Sequence, residues 1–249
     1  MPELVHLEVA DGVGTITLDS EHNRNALSKQ LVTELTEHLT TAEADAEVRV
    51  VLIRSAGRAF CSGADLSEAA EGGMETGAKA LIGLQRQIAT SSRPVVVQIA
   101  GPVRAGGLGI VGAADVAVAA ESVTFALTEV RLALAPAVIS ASLLPRFASR
   151  AAADLFLTGR TFDAAEAADA GLLTRVVPDD ELETQVEAVL ADLALGHPQG
   201  LRETKRLLNR DLVARIDELG DQLAAQSAEL FGSDEARTAM RAFLDRRKG

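Results

Sequence analysis

Residues 95–129 read VVVQIAGPVRAGGLGIVGAADVAVAAESVTFALTE, and the fold turns on this stretch. Val95 to Ile99 is apolar and β-branched, the mark of a buried strand. Ala105, Gly106, Gly107, Gly109 and Gly112 leave almost no side chain on the segment that follows, so backbone is set to approach something closely. A helix starting within 105–108 would aim its unpaired first-turn amides and positive dipole end at whatever lies beside the turn. Either an oxyanion or phosphate is held there, or the helix packs tightly on the sheet. A second apolar strand and one glutamate, Glu129, close the stretch.

Upstream, two short strands over 4–9 and 13–18 flank Asp11-Gly12, a strong hairpin signal. A polar turn spans 23–25. From Ser28, a fair N-cap, Leu31, Val32, Leu35 and Leu39 recur at helical spacing to about residue 46. A strand over 50–54 leads into SAGRAFCSGADL, residues 55–66, a turn-rich passage with Gly57 and Gly63 around Ala59, Phe60 and Cys61. A polar segment, 67–77, and a helix over 80–90 complete an order of strand, helix, strand, loop, helix and strand, which predicts a layered α/β domain. Downstream, helices are expected over 151–157, 163–170, 182–195, 200–216, 221–230 and 234–247, with a short strand at 176–177. The division is an α/β core over 1–195 and a helical region over 196–249.

Composition narrows the functions. The chain has 249 residues, 47% of them hydrophobic, no Trp or Tyr, and a net charge of -12. Base-stacking platforms and polyanion-binding surfaces are thereby disfavoured, so no nucleic-acid partner is expected. The single cysteine, Cys61, excludes an internal disulfide framework. The apolar run 132–145 is about fourteen residues, short of the roughly twenty needed to span a bilayer, and the acidic start lacks a signal-peptide pattern. A cytoplasmic protein with no membrane segment is expected.

Gly107, Gly109 and Gly112 fit the G-x-G-x-x-G spacing, but the first glycine stands several residues beyond the strand's end, which argues against a dinucleotide cofactor. The four histidines are scattered and the acidic pairs sit at helix starts, so no metal site is expected. Two small-residue turns, each able to offer one amide, remain beside Glu129 in the apolar setting of Phe125, Ala126, Leu127 and Val130. Two amides on one oxygen would make an oxyanion hole. A carboxylate in such surroundings has its pKa raised toward the general acid/base range; an ordinary exposed loop glutamate is the alternative.

Asn25-Ala26-Leu27, Ala59 to Leu66, Ala105-Gly106-Gly107, Phe125 to Glu129, and Leu157-Thr158-Gly159-Arg160 together resemble the enoyl-CoA hydratase/isomerase, or crotonase, superfamily over nearly the whole chain. The resemblance implies a crotonase-like (ClpP/crotonase) spiral of ββα units whose C-terminal helices trimerise, giving a homotrimer or dimer of trimers. It implies an acyl-CoA thioester as substrate, coenzyme A being part of that substrate and not a separate cofactor. The thioester oxygen would lie between the amides of Ala64 and Gly106, with Glu129 as acid/base. Asn25, Ala26, Ser62, Asp65 and Leu66 would line the coenzyme A path, and Lys205 would meet its phosphates or else belong to a solvated helix face. The family's hydratases carry a first glutamate where this chain has Gly109. A single carboxylate suits an isomerase, a one-glutamate hydratase, or an acyl-CoA binder with little turnover. Residues 129–140, EVRLALAPAVIS, are similar to the branch that hydrates carboxylated enoyl-CoAs such as methylglutaconyl-CoA, which favours hydration; Arg104 or Arg131 would pair with a distal carboxylate or form a structural salt bridge.

Overall fold

The computed structural model describes residues 2–65, 68 and 74–246, with side chains to 243. Leu66 and part of the 67–77 segment lie outside the described residues. Strands β1 (Val5–Ala10) and β2 (Val13–Leu18) form the expected hairpin, Val9 pairing with Gly14. Asp11 and Gly12 both take positive φ, 50° and 82°, the backbone hand that a two-residue turn between twisted strands requires. Helix α1 (Lys29–Ala44) starts at Ser28, whose hydroxyl accepts from the Leu31 amide, and buries Leu31, Val32, Leu35 and Leu39.

Strand β3 (Val50–Ser55) is followed by helix α2 (Met74–Thr90), strand β4 (Val95–Ile99), the two-residue β5 (Val103–Arg104) and helix α3 (Gly107–Ala113). Next come β6 (Val116–Ala120), β7 (Thr124–Ala126), a 3-10 turn at Thr128–Leu132, α4 (Ala137–Leu143), α5 (Ser149–Thr158), β8 (Thr161–Asp163), α6 (Ala164–Asp169) and β9 (Arg175–Val177). A six-stranded sheet has the order β1-β2-β3-β4-β6-β9, antiparallel in its hairpin and parallel elsewhere. Its central strand β4 is buried along its whole length, as VVVQI predicts. A three-stranded sheet, β5-β7-β8, stands beside it, with Phe125 and Phe162 stacked at 5.6 Å. The parallel strands β3 and β4 present their carboxyl ends together, so the 56–64 and 100–106 loops emerge at one edge, where open α/β sheets place ligands.

The chain ends in α7 (Leu182–Ala194), α8 (Pro198–Phe231) and α9 (Asp234–Arg246). Where periodicity predicts helices over 200–216 and 221–230, one 34-residue helix runs through. Gly220 does not end it: a Cβ there would lie 2.8 Å from Ile82 Cγ2, so the glycine lets α8 press against α2. No helix among the described residues is long and apolar enough to cross a membrane.

Lys205, on α8, overturns its sequence reading. Only 4% exposed, it neither faces solvent nor meets a phosphate: its Nζ lies 2.7 Å from Asp115 and donates to the carbonyls of Ile88 and Arg93. Asp115 also accepts from the Val95 amide and from Asn209 Nδ2, so helix and strand ends are locked together. Burial lowers the lysine's pKa despite the pull of Asp115. Lys205→Met, which leaves Asp115 and two carbonyls short of a donor, should cost about 3–5 kcal/mol in urea unfolding. Leu207→Ser, at a position 76% exposed on the same helix, should change stability by less than about 0.5 kcal/mol.

Candidate active site

The two loops at the carboxyl ends of β3 and β4 are held against each other by backbone. Arg104 N donates to Cys61 O at 2.9 Å, and Leu27 N donates to Gly63 O at 2.8 Å. Gly63 has φ +97°, and a Cβ on it would sit 2.9 Å from Ala105 Cβ. Ala105 itself takes the left-handed conformation, φ 47°, uncommon for a residue with a Cβ, and is pinned by its amide donating to Ala126 O at 3.0 Å. That bend sets Gly106 in place at the head of α3. Ala64 N lies 3.9 Å from where a Gly106 Cβ would be, and among the described residues no backbone acceptor takes the N–H of either Ala64 or Gly106.

Glu129 sits in the 3-10 turn after β7, three residues beyond Ala126 and thus a short step from Ala105. The turn is packed from two sides. Gly159, at φ +57°, would put a Cβ 2.7 Å from Val130 Cγ1 and 3.0 Å from Leu127 O, and α9 lies against the same turn. The Glu129 residue is partly buried, its Oε2 is fully enclosed, and that oxygen has no hydrogen-bond partner among the described residues. Burial pushes its pKa up to about 7, against a weaker lowering by its own amide. An enclosed carboxylate oxygen without a partner is costly.

Gly109 shows why a second carboxylate is missing. A Cβ there would lie 2.8 Å from Ile139 Cγ2 and 3.2 Å from Gln85 Cδ. Gln85 is wholly buried: Nε2 donates to the carbonyls of Leu81 and Val138, and Oε1 accepts from Ser142 Oγ at 2.6 Å. The space beside α3 is filled by an isoleucine and a satisfied amide, a closure that sequence spacing does not reveal.

The other expected site residues divide. Ser62 Oγ donates to Asn23 O, and Asn23 Nδ2 donates to Asp65, so the 23–26 turn and the 62–65 loop do come together. Asn25 is buried and its side chain is spent inward, accepting from Ser20 N and donating to Ala56 O and Ala59 O; it braces the loops and does not line an open path. Ala26 is also buried. Arg24, which the sequence reading passed over, is exposed, with its carbonyl accepting from Ser62 N. Arg104 is committed to Val103 O, Thr124 O and Thr124 Oγ1, whereas Arg131 is exposed and forms no ion pair among the described residues.

The architecture is the crotonase fold. A crystal structure of an enoyl-CoA hydratase from Mycobacterium avium superposes with a TM-score of 0.92 at 44% identity, over 99% of this chain and 98% of the other. The chain belongs to the enoyl-CoA hydratase/isomerase family, whose model matches residues 8–249. A Mycobacterium bovis relative named "Probable enoyl-CoA hydratase echA8" is 31% identical over 98% of this chain and 96% of its own length. The mevalonyl-coenzyme A hydratase sidH of Aspergillus fumigatus is 30% identical over 94% of this chain and 88% of its own.

Two outcomes follow from the site's packing. Glu129 carries a folded pKa near 7 against an ordinary value of 4.5, so between those pH values the folded chain keeps a proton the unfolded chain has lost, and stability falls as pH rises through the window. Glu129→Gln should therefore melt above the parent at pH 8, by on the order of 3 kcal/mol, with the gap closing near pH 4. Gly109→Glu should lower stability by at least about 1–3 kcal/mol through overpacking and bring no gain in turnover; an unchanged melting temperature with faster hydration would contradict the closure.

Proposed function

We propose that the chain hydrates an enoyl-CoA thioester with Glu129 as its one acid/base. The observation that carries this reading is the enclosed, partnerless Glu129 Oε2 beside two loops whose Ala64 and Gly106 amides stay undonated. Glu129, ionised, takes a proton from water as the water oxygen bonds to C3. The C2=C3 π pair moves onto the thioester as an enolate, and its oxygen is held by the two amides. The same carboxyl then returns the proton to C2, so one group acts as base and as acid. A pKa near 7 suits both halves of that cycle.

Coenzyme A carries phosphates onto an acidic protein, so local donors have to override the global field. Arg24 and Lys29 are exposed at the 23–29 segment and take the role that Lys205 cannot. Arg131, exposed two residues beyond Glu129, supports an acyl group bearing a distal carboxylate, the class suggested by residues 129–140. Double-bond isomerisation is the second reading, favoured by the filled space at Gly109, since a proton moved between C2 and C4 needs one carboxylate only.

Straight-chain and carboxylated enoyl-CoAs incubated with the protein in heavy-oxygen water should yield labelled 3-hydroxyacyl-CoA. Double-bond migration without heavy-oxygen incorporation, followed in parallel in deuterated water, would assign the isomerase instead. Glu129→Gln should cut turnover by about 10²–10⁴ with acyl-CoA affinity nearly intact, and kcat/KM of the parent should fall as pH drops below 7.

A further inference from the structure

At the opposite, amino-terminal ends of β3 and β4, a cavity of about 180 Å³ is lined by Ala46, Val48, Arg49, Ser92, Arg93 and, from the start of α8, Pro198 and Leu201. It lies across the sheet's length from the Ala64 and Gly106 loops, which leave the other ends of the same strands. Two arginines line one small space there, and among the described residues neither forms an ion pair. Their hydrogen bonding is also incomplete. Arg49 Nη2 donates to Gly196 O, and Arg93 donates through Nη1 to Ser92 Oγ and through Nη2 to Asp45 O. Arg49 Nη1 has no acceptor among the described residues, and the Nε of each arginine is enclosed without one, shut off from the cavity itself. A guanidinium has five N–H donors and loses substantially when they are desolvated unpaired.

The neighbouring carboxylate does not supply the missing acceptor. Burial pushes the Glu43 pKa up, but its bonds to the Ser92 and Ser91 hydroxyls and the Ser92 amide, with the nearby Arg93 charge, hold it below the usual value. The lining itself carries two cations and no carboxylate, with Glu43 and the Asp45 and Glu47 that flank Ala46 just outside it, in a chain whose net charge is -12. The positive end of the 34-residue helix α8 adds to it, since Pro198 and Leu201 belong to its first turn. Ser92 Oγ accepts from Arg93 and gives its own proton to Glu43, so it is spent within the protein.

We infer that this cavity is a binding site for a small oxyanion, the phosphate group of inorganic phosphate or of a compact phosphate monoester, clamped between Arg49 and Arg93. Planar guanidinium forks match tetrahedral phosphate in a way a lysine pair would not. The volume is below the roughly 300–1,000 Å³ of sites for larger organic ligands, so the phosphate head is what the cavity accepts. Because Arg49 reaches the Gly196 carbonyl, an occupant would tie the α7–α8 junction to the β3 and β4 edge.

Thermal melting in sodium phosphate, against sodium chloride at equal ionic strength, tests the assignment. Phosphate should raise the melting temperature saturably, by roughly 5–10 °C at one hundred times its Kd. Glycerol phosphate run beside it separates a free-ion site from a monoester site by which ligand saturates first. Arg49→Gln should abolish the shift. Ala46→Glu, at an exposed lining residue, should do the same by placing a carboxylate at the guanidinium pair without removing either arginine. A shift that never saturates, or one that survives in a folded Ala46→Glu chain, overturns the site.

Discussion

Two loops leaving adjacent parallel strands pass each other with no side chain between them, and the other features of the site depend on that approach. A Cβ on Gly63 would meet Ala105, one on Gly106 would meet Leu27 Cδ1 at 2.8 Å, and one on Gly107 would meet Cys61 Cβ at 2.6 Å. Only backbone fits at these positions, so what the site offers a ligand there is amide N–H. The approach in turn requires the bend at Ala105, which is held by Ala126, and Ala126 is what fixes the start of the Glu129 turn. Amides and carboxylate are therefore not independent: one hydrogen bond couples the placement of both.

The polar interior follows a different logic at the two ends of β4. Around Lys205, charges are buried and matched: an ammonium, a carboxylate, an amide side chain and three backbone groups satisfy one another. At Glu129 a carboxylate oxygen is enclosed and unmatched. The first arrangement rigidifies, because every group has what it needs. The second leaves the cost of an enclosed, unmatched oxygen unrelieved within the protein.

What could be seen in the sequence was what local chemistry encodes. Asp11-Gly12 fixes its hairpin because the turn needs left-handed residues, and Ser28 starts α1 because its hydroxyl satisfies a first-turn amide. The glycine-rich loops and Glu129 were visible because small residues and a lone carboxylate in an apolar run are unusual. Lys205 was misread because its partner, Asp115, lies on a distant segment and nothing near a charged helical residue announces burial. Asn25 was placed on the substrate path for a similar reason: its three bonds reach Ser20, Ala56 and Ala59, and only the folded loops show that its amide is used up. Gly220 interrupts a helical pattern in the sequence yet lies inside α8, since its role is set by Ile82 on another helix. Strands β5 and β8, two and three residues long, are too short for any period to register.

The packing at Gly109 also constrains how such a chain can change over generations. Ile139 and Gln85 occupy the volume into which a glutamate at 109 would extend, and Gln85 is itself tied to Ser142 and to two carbonyls. A second carboxylate is thus not one mutation away. Ile139 would first have to shrink, opening a void that lowers stability, before a larger residue at 109 could be tolerated. A wall laid down by packing can in this way keep a position small long after selection for it has relaxed.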